Sequence, residues 1–433
     1  MTRVAIIGAG MGAIGADYRF RQEGISPVLY DQASEPGGHT TTHNYPGGWA
    51  FDEGPHVSFT KDDRIRDLLA DAVGGDYQTL VANVDNYWKG HRFKHPAICN
   101  LHGLPTDLVV QCIKEFVAAS ASAPPSIENY EQWLVSAYGR TFAETFPMEY
   151  AKKVHTTSAD RLDVDWLGPR FYRPSVEEVL FGALSPDTPN VHYVTEYRYP
   201  THGGFFSYLK PFLAAADVRS SHRLVEVSPK EQKLRFENGI EVNYDHLIST
   251  VPLPALVPLV AGAPTEIIDA SQTLSATNMV LVNVGIDREG VGDTWTYFYD
   301  EDVIFTRVSY PGQLSPHMVP PGHGSFQAEI YFSDKYAPRS GQPEDYIEPV
   351  ITDLLRTGLM RERDQVRHRS AIHVPYGNII HDHDKAPALS LIHGYMSEVG
   401  IGLAGRYGLW GYQWTDEAFM TGEAAAQAVI DAA

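Results

Sequence analysis

Cysteine is nearly absent from this chain. Cys99 and Cys112, 13 positions apart, are the two among 433 residues, which excludes a disulfide framework and leaves no thiolate set for a zinc site. Both are expected to pack as small apolar groups, as suits a reducing cytoplasm. Basic residues are also in short supply: 34 Lys+Arg face 54 Asp+Glu, for a formal net charge of −20. Such a surface repels nucleic acid, so any anionic ligand has to be held by a few local arginines. No run of about 18 apolar residues occurs, and the opening "MTRVAIIGAG" has neither the longer apolar core nor the cleavage pattern of a signal peptide. Neither a membrane span nor export is expected. Repeats, low-complexity tracts and long linkers are missing as well. The length exceeds what one hydrophobic core usually serves, so two or more domains that share interfaces are expected.

What is present begins with a nucleotide-binding unit. The stretch "RVAIIGAGMGAIGADYRFRQEGISPVLYD" reads as a buried strand, a glycine turn, a helix and a second strand ending at Asp31. From about residue 62 to 190, apolar residues recur at three- and four-residue spacings, as in "DLVVQCIKEFVAASA" and "IENYEQWLVSAYG", and predict a mostly helical insertion. Alternation returns in "RLVEVSPKEQKLRFENGIEVNYDHLIST", two strands about an Asn-Gly turn and a further buried strand, then in "NMVLVNVGI" and "GSFQAEIYF". A second, antiparallel sheet is implied. "EDYIEPVITDLLRTGL" predicts a helix, "SEVGIGLAGRYG" a strand and a glycine turn, and "EAFMTGEAAAQAVIDAA" a final helix. The Pro/Gly-rich segment 311–324 is expected to be a surface loop.

The glycine turn carries the first chemistry. Gly8-x-Gly10-x-x-Ala13 follows a strand and opens a helix: Gly8 allows the tight turn, Gly10 lets backbone approach a pyrophosphate, and Ala13 keeps helix and strand close. Asp31 lies 23 residues beyond Gly8 (31 − 8), placed to accept from a ribose hydroxyl. That fingerprint alone serves NAD or FAD equally. A second glycine pair, Gly37-Gly38, follows Asp31 closely, and the far end of the chain supplies "GLAGRYGLWGY". Glycine-rich contacts from both ends of the chain suit the longer FAD. The fold class is therefore α/β: a Rossmann-type FAD-binding domain with a helical insertion and a second antiparallel sheet.

Through "GGHTTT...GPHVSF", "NLHGLPTDLVVQCI", "DVDWLGPRF", "YRYPTHGGF", "DTWTYFYDEDVIFTR", "HVPYG" and "GRYGLWGY", nearly end to end, the chain resembles the FAD-dependent UDP-galactopyranose mutases, above all the eukaryotic type, within the wider amine-oxidase-like flavoprotein class. The domain organisation expected on this footing is a discontinuous FAD-binding domain (1–61, 195–262 and 396–433), a mostly helical substrate domain (62–194) and a sheet-rich substrate domain (263–395). The resemblance implies an isomerase, an intramolecular transferase in which N5 of the reduced flavin (FADH−) attacks the anomeric carbon of a nucleotide-diphosphate sugar. The diphosphate leaves, the sugar ring opens and recloses between pyranose and furanose, and no net redox change results. NADH or NADPH would be the priming reductant, although no second nucleotide-binding fingerprint is visible.

The resemblance also implies roles for particular residues. Arg170 and Arg307 match the two diphosphate-binding arginines, and Tyr297, Tyr376 and Tyr412 match tyrosines that bond the diphosphate or line the sugar pocket. His56 matches the histidine beside flavin N5, where an imidazole can follow the charge and protonation of the flavin. Gly203, Gly204, Gly405 and Arg406 match flavin contacts. The nucleotide pocket departs from the pattern. "HPAICN" stands where the family has a "YPFQN"-like run, so His95 and Ile98 replace Tyr and Gln, and in "EYAKKVH" Ala151 and His155 replace Asn and Trp. A site that loses its hydrogen-bonding partners for a base loses that base strongly. The expected nucleotide is therefore not UDP, and a GDP-sugar such as GDP-fucose is favoured. Asp416 occupies the place of a family asparagine, four residues after Tyr412.

Other constellations carry less. His381 and His383 in "IIHDHDK", and His39 and His43 in "HTTTH", lack the further ligands a metal requires, and a solvated polar loop is the expectation for the first. His202 is expected to face solvent. The competing function is an amine-oxidase-like or protoporphyrinogen-oxidase-like FAD oxidoreductase, which shares the cofactor clasp but has no use for paired guanidiniums. A flavoprotein that has lost catalysis and serves as a binding partner is disfavoured by the retained His56, Arg170 and Arg307. The oligomeric state is not legible.

Overall fold

The apolar run after Arg3 becomes the central strand Val4–Ile7, all four residues buried. The computed structural model describes residues 2–122, 126–168, 171–191 and 194–432. Strand Val4–Ile7 sits in a five-stranded, wholly parallel sheet in the spatial order Ile401–Leu403, His246–Ser249, Val4–Ile7, Val28–Tyr30, Asp217–Arg219. Chain from the beginning, middle and end thus builds one Rossmann-type layer. The helix Met11–Gln22 follows the glycine turn, and the final helix Thr415–Ala432 packs along it. That packing requires glycine: a Cβ on Gly15 would collide with the Phe419 carbonyl, and one on Gly422 with the Gly12 carbonyl.

The second sheet has seven strands, in the order Val366–Val374, Asn278–Ile286, Gly324–Phe332, Arg307–Ser309, Trp295–Phe298, Val84–Trp88, His91–Lys94. Two strands fall as expected on "NMVLVNVGI" and "GSFQAEIYF", and all nine residues of Asn278–Ile286 are buried between neighbours on both sides. The sheet is antiparallel apart from one parallel pair, Trp295–Phe298 with Val84–Trp88. That pair arises because Tyr77–Val81, Val84–Trp88 and His91–Lys94 are strands within a stretch expected to be mostly helical. The hairpin turn has φ of 47° at Lys89 and 85° at Gly90, the left-handed pair that matches strand twist.

Beyond Thr106 the insertion is helical as expected: Thr106–Ser120, Tyr130–Tyr138, Arg140–Thr145, Pro147–His155 and Val176–Leu184 share a core with Phe93, Leu101, Phe116, Phe142 and Phe146. Asn129 caps the second of these helices through Gln132 N–H, and Ser175 with Glu178 forms a capping box on the last. The segment 311–324 is not simply a surface loop. It folds into the turns Pro311–Leu314 and Pro316–Met318, and Leu314 and Met318 are buried in the cluster that holds Tyr199 and Trp295, while Pro316, His317, Pro321 and Gly322 stay exposed. Proline and glycine marked the turns correctly, but the two apolar side chains between them needed a core to enter. Among the described residues no helix is long and apolar enough to cross a membrane.

Candidate active site

Three turns of bare backbone meet above the parallel sheet. Gly8, at φ 106°, donates its N–H to Tyr30 O at 2.8 Å. The Asp31 carboxylate braces the turn by accepting from Ala9 N–H and Ala33 N–H, each at 2.8 Å, and keeps a second lone pair on each oxygen for a ribose hydroxyl. Gly10 faces the Gly37-Gly38 pair: a Cβ there would lie 3.6 Å from Gly38 Cα, with no side chain near. Gly12 faces Gly405, and Ala13 is fully buried behind them. The helix Met11–Gln22 starts here without a side-chain cap, so its first N–H groups remain to meet an anion. Arg406, one residue after Gly405, gives Nη2–H to Asn378 Oδ1 at 2.9 Å, while its buried Nε has no partner among the described residues. The bare turns, the open helix start and this orphaned donor fit a bound dinucleotide.

The Gly203-Gly204 turn is tied to the histidine loop by a buried acid. Asp52 accepts from Thr42 Oγ1 (2.6 Å), Tyr199 OH (2.6 Å) and Phe205 N–H (3.2 Å). Gly204, just before Phe205, has no room for a side chain: its Cβ would lie 2.7 Å from Asp52 Oδ1. Burial raises the Asp52 carboxyl to about 6 even against those three hydrogen bonds. The next residue behaves oppositely. Burial disfavours the charged form of Glu53, but His39 Nδ1 at 2.6 Å and His43 Nε2 at 3.3 Å outweigh it and hold the carboxyl down to about 2. His56 then lies against Phe205, with ring centroids 5.5 Å apart. Its Nδ1 is 3.0 Å from Gly54 O, and a carbonyl can only accept, so the proton is on Nδ1 and Nε2 is the acceptor. Burial, with repulsion from His39, lowers its pKa to about 4 and keeps the ring neutral at physiological pH.

The seven-stranded sheet supplies the charged wall. Arg307 and Glu329 are cross-strand partners. Arg307 Nε–H donates to Glu329 Oε1 at 2.8 Å and Nη2 lies 2.8 Å from the same oxygen, while Tyr331 OH donates to Oε2 at 2.6 Å. Tyr297, on the adjoining strand, has its ring centroid 5.0 Å from His95 and 5.3 Å from Tyr150. Burial raises the Tyr297 phenol, and the Arg307 charge offsets part of that shift. The Arg406 guanidinium lies over Tyr412 at 5.3 Å, and Tyr412 meets Trp166, against which His155 also packs at 5.5 Å. Burial, then the Arg406 charge, lowers His155 to about 4. Tyr297 and His95 thus pack together on the side of Arg307, while Arg406, Tyr412 and His155 gather about Trp166.

Other expected site residues are arranged differently. Arg170 lies outside the described residues. Tyr376 sits with Tyr407 and Trp410 beside the Gly405 turn. Asp416 is in the first turn of the final helix, the end that favours an acid. Ile98 and Ala151 are buried in the helical core and present no polar side-chain atom. The HDHD segment is a correction: His381 and Asp382 are buried, His381 stacked on Trp166 at 5.1 Å and Asp382 bonded to Lys335 and Tyr336, while His383 and Asp384 face outward. His202 is exposed, 2.9 Å from Asp76. Both cysteines are buried, with their thiols pushed up to about 12 by burial. Sequence reading missed Glu329, Asn378, Trp166 and the Glu53 clamp. A glutamate inside an otherwise buried strand was the available signal for Glu329, since a buried acid always needs a partner.

Comparison with known proteins places this architecture. Residues 6–72 match the NAD(P)-binding Rossmann-like domain, and 84 residues are 37% identical to the phytoene desaturase (neurosporene-forming) of Rhodobacter capsulatus. That second match covers 19% of this chain and 16% of the desaturase, so the chain matches about a sixth of that relative's length. The whole chain has the fold of UDP-galactopyranose mutase: against a crystal structure of the reduced enzyme the TM-score is 0.93 at 22% identity, over 100% of this chain and 96% of the other. A CLA-producing fatty acid isomerase from P. acnes (TM-score 0.67, 12% identity, 99% and 98% coverage) and putrescine oxidase bound to putrescine (0.65, 15%, 99% and 99%) share it more distantly. The fold implied by the sequence resemblance, that of UDP-galactopyranose mutase, is thus the fold observed.

Proposed function

We propose that this protein is an FAD-dependent nucleotide-sugar mutase that interconverts the pyranose and furanose forms of a sugar carried on a nucleoside diphosphate. The observation that carries the reading is Arg307: a guanidinium fixed by the buried Glu329, near enough to Tyr297 for its charge to act on that phenol, and joined through Glu329, Tyr331 and Asn378 to Arg406 beside the Gly405 turn, in a chain of net charge −20. An oxidase of an amine or an apolar substrate has no need of a fixed cation there, whereas a leaving diphosphate does. FAD is favoured over NAD because turns from both ends of the chain converge on the cradle, which suits an extended cofactor. NADH or NADPH would act from outside as reductant, in the cytoplasm.

When bound and reduced, FAD supplies the nucleophile for the anomeric carbon. The chain supplies the rest. Arg307, with Arg170 as its expected companion, neutralises the departing diphosphate, and Tyr297 and Tyr412 offer phenol donors that burial keeps protonated in the case of Tyr297. His56, neutral and with Nε2 as acceptor, can take a proton and return it as the sugar hydroxyls exchange roles in ring opening and closure. At the positions the resemblance gives to the base, His95 packs on Tyr297 and His155 on Trp166, while Ile98 and Ala151 offer no hydrogen bond. This supports a base other than uracil, and a GDP-sugar such as GDP-fucose is the favoured substrate.

The test is turnover of UDP-, GDP- and dTDP-pyranoses by oxidised and by dithionite-reduced protein, with furanose formation followed by chromatography. Conversion only by the reduced protein supports the mutase, and the accepted nucleotide tests the base pocket. No conversion, together with flavin reduction by an amine, would replace the mutase with an oxidase.

A further inference from the structure

The pairing of Arg307 with Glu329 is one end of a longer polar chain. Glu329 is wholly buried, and Tyr331 on the same strand donates to its second oxygen. The Tyr331 phenol is also hydrogen-bonded to the side chain of Asn378, and Asn378 Oδ1 accepts from Arg406 Nη2–H at 2.9 Å. The guanidinium assigned to the diphosphate and the guanidinium beside the cofactor turn are thus joined by three side chains from two segments, the strand Gly324–Phe332 and the turn at Asn378.

Such a chain is not what stability alone would retain. Well-packed apolar residues usually serve a buried sheet position as well as or better than an ion pair, so a carboxylate held there points to a geometric task. The geometry supplies one. With Nε–H and Nη2 turned to Glu329, the Arg307 plane is fixed and, among the described residues, its Nη1 edge is left for a ligand. Tyr331 holds the carboxylate against rotation. Asn378 anchors Tyr331 to Arg406.

We propose that Glu329, Tyr331 and Asn378 are positioning residues that orient Arg307 for a diphosphate and tie it to Arg406, so that the anion site and the cofactor groove are set as one unit. This rests on the diphosphate reading above. A carboxylate that merely neutralised Arg307 would predict the opposite charge effect, since removing it would expose more positive charge and tighten anion binding.

The experiment is titration of the purified full-length protein with inorganic pyrophosphate, read by tryptophan fluorescence, because Trp295 lies 5.9 Å beneath the Arg307 guanidinium. Glu329→Gln is expected to weaken binding about tenfold, and Tyr331→Phe and Asn378→Leu by about threefold each, the scale of losing one alignment in a charge-assisted site. In a double-mutant cycle, Glu329→Gln should add nothing to the loss already caused by Arg307→Ala, a non-additivity that a general loss of packing would not produce. If Glu329→Gln fails to fold, the two milder variants carry the test. Binding that is unchanged or tighter in the variants overturns the positioning role and leaves the mutase reading standing. Failure of the wild-type protein to bind pyrophosphate overturns the diphosphate assignment, and this proposal with it.

Discussion

Gly12 and Gly405, 393 positions apart (405 − 12), are pressed together so closely that a Cβ on Gly12 would stand 2.8 Å from the Gly405 Cα. The obstacle is backbone on both sides, so neither can yield cheaply. Gly12→Ala is expected to cost about 1–3 kcal/mol by overpacking and to reduce bound flavin, because the first and last turns of the cradle would be forced apart. Thermal unfolding and the flavin absorbance of the purified variant check it; an unchanged cofactor content would contradict the convergent-turn account.

The buried acid under the histidine loop makes a second prediction. Asp52 serves three donors, and Asp52→Asn turns an amide N–H₂ toward at least one of them. A loss of about 1–3 kcal/mol is expected from the unsatisfied buried groups. Flavin should be released more easily as the segment Gly203–Phe205 loosens. Denaturation with and without added FAD measures both effects.

Stability should also depend on pH through His155. Its pKa falls from 6.5 to about 4 on folding, so between those values the unfolded chain binds more protons and stability rises with pH. The contribution is present above about 6.5 and lost as pH falls toward about 4; a difference of about 2.5 units at about 1.36 kcal/mol each amounts to about 3 kcal/mol. His56 acts in the same direction, while Asp52, raised from 3.8 to about 6, opposes both across part of the window. Urea unfolding of His155→Gln across this range should show a flatter pH profile than wild type.

Arg307→Ala should raise KM for the nucleotide-sugar at least about tenfold and slow turnover, with the flavin spectrum retained. It leaves Glu329 buried without its cation, a situation that typically costs about 3–5 kcal/mol, so a lower thermal midpoint is expected alongside the kinetic loss. Arg170→Ala is expected to share the kinetic effect. Loss of flavin in either variant would move that arginine to the cofactor.

Much of this protein was legible before its fold was seen. The strand, glycine turn and helix at Val4–Gln22 are local events, set by apolar runs and by glycine, and the strands at 278–286 and 324–332 followed from continuous apolar or alternating residues. The dinucleotide turn could be read because its motif is contiguous. The hairpin at 84–94 was missed because its short strands lie in a stretch dominated by helical periodicity, and their partner, Trp295–Phe298, lies some two hundred residues on.

The sequence by itself determined the dinucleotide turn, the helical insertion, the scarcity of positive charge and hence the weight resting on single arginines. Only the tertiary structure decided which groups meet: Glu329 under Arg307, Asp52 beneath Gly204, His39 and His43 on one carboxylate, His381 buried on Trp166. The reason is physical. Backbone propensity and periodicity act over a few residues, whereas the partner that makes a buried charge tolerable comes from a distant strand and appears only when the core closes around both.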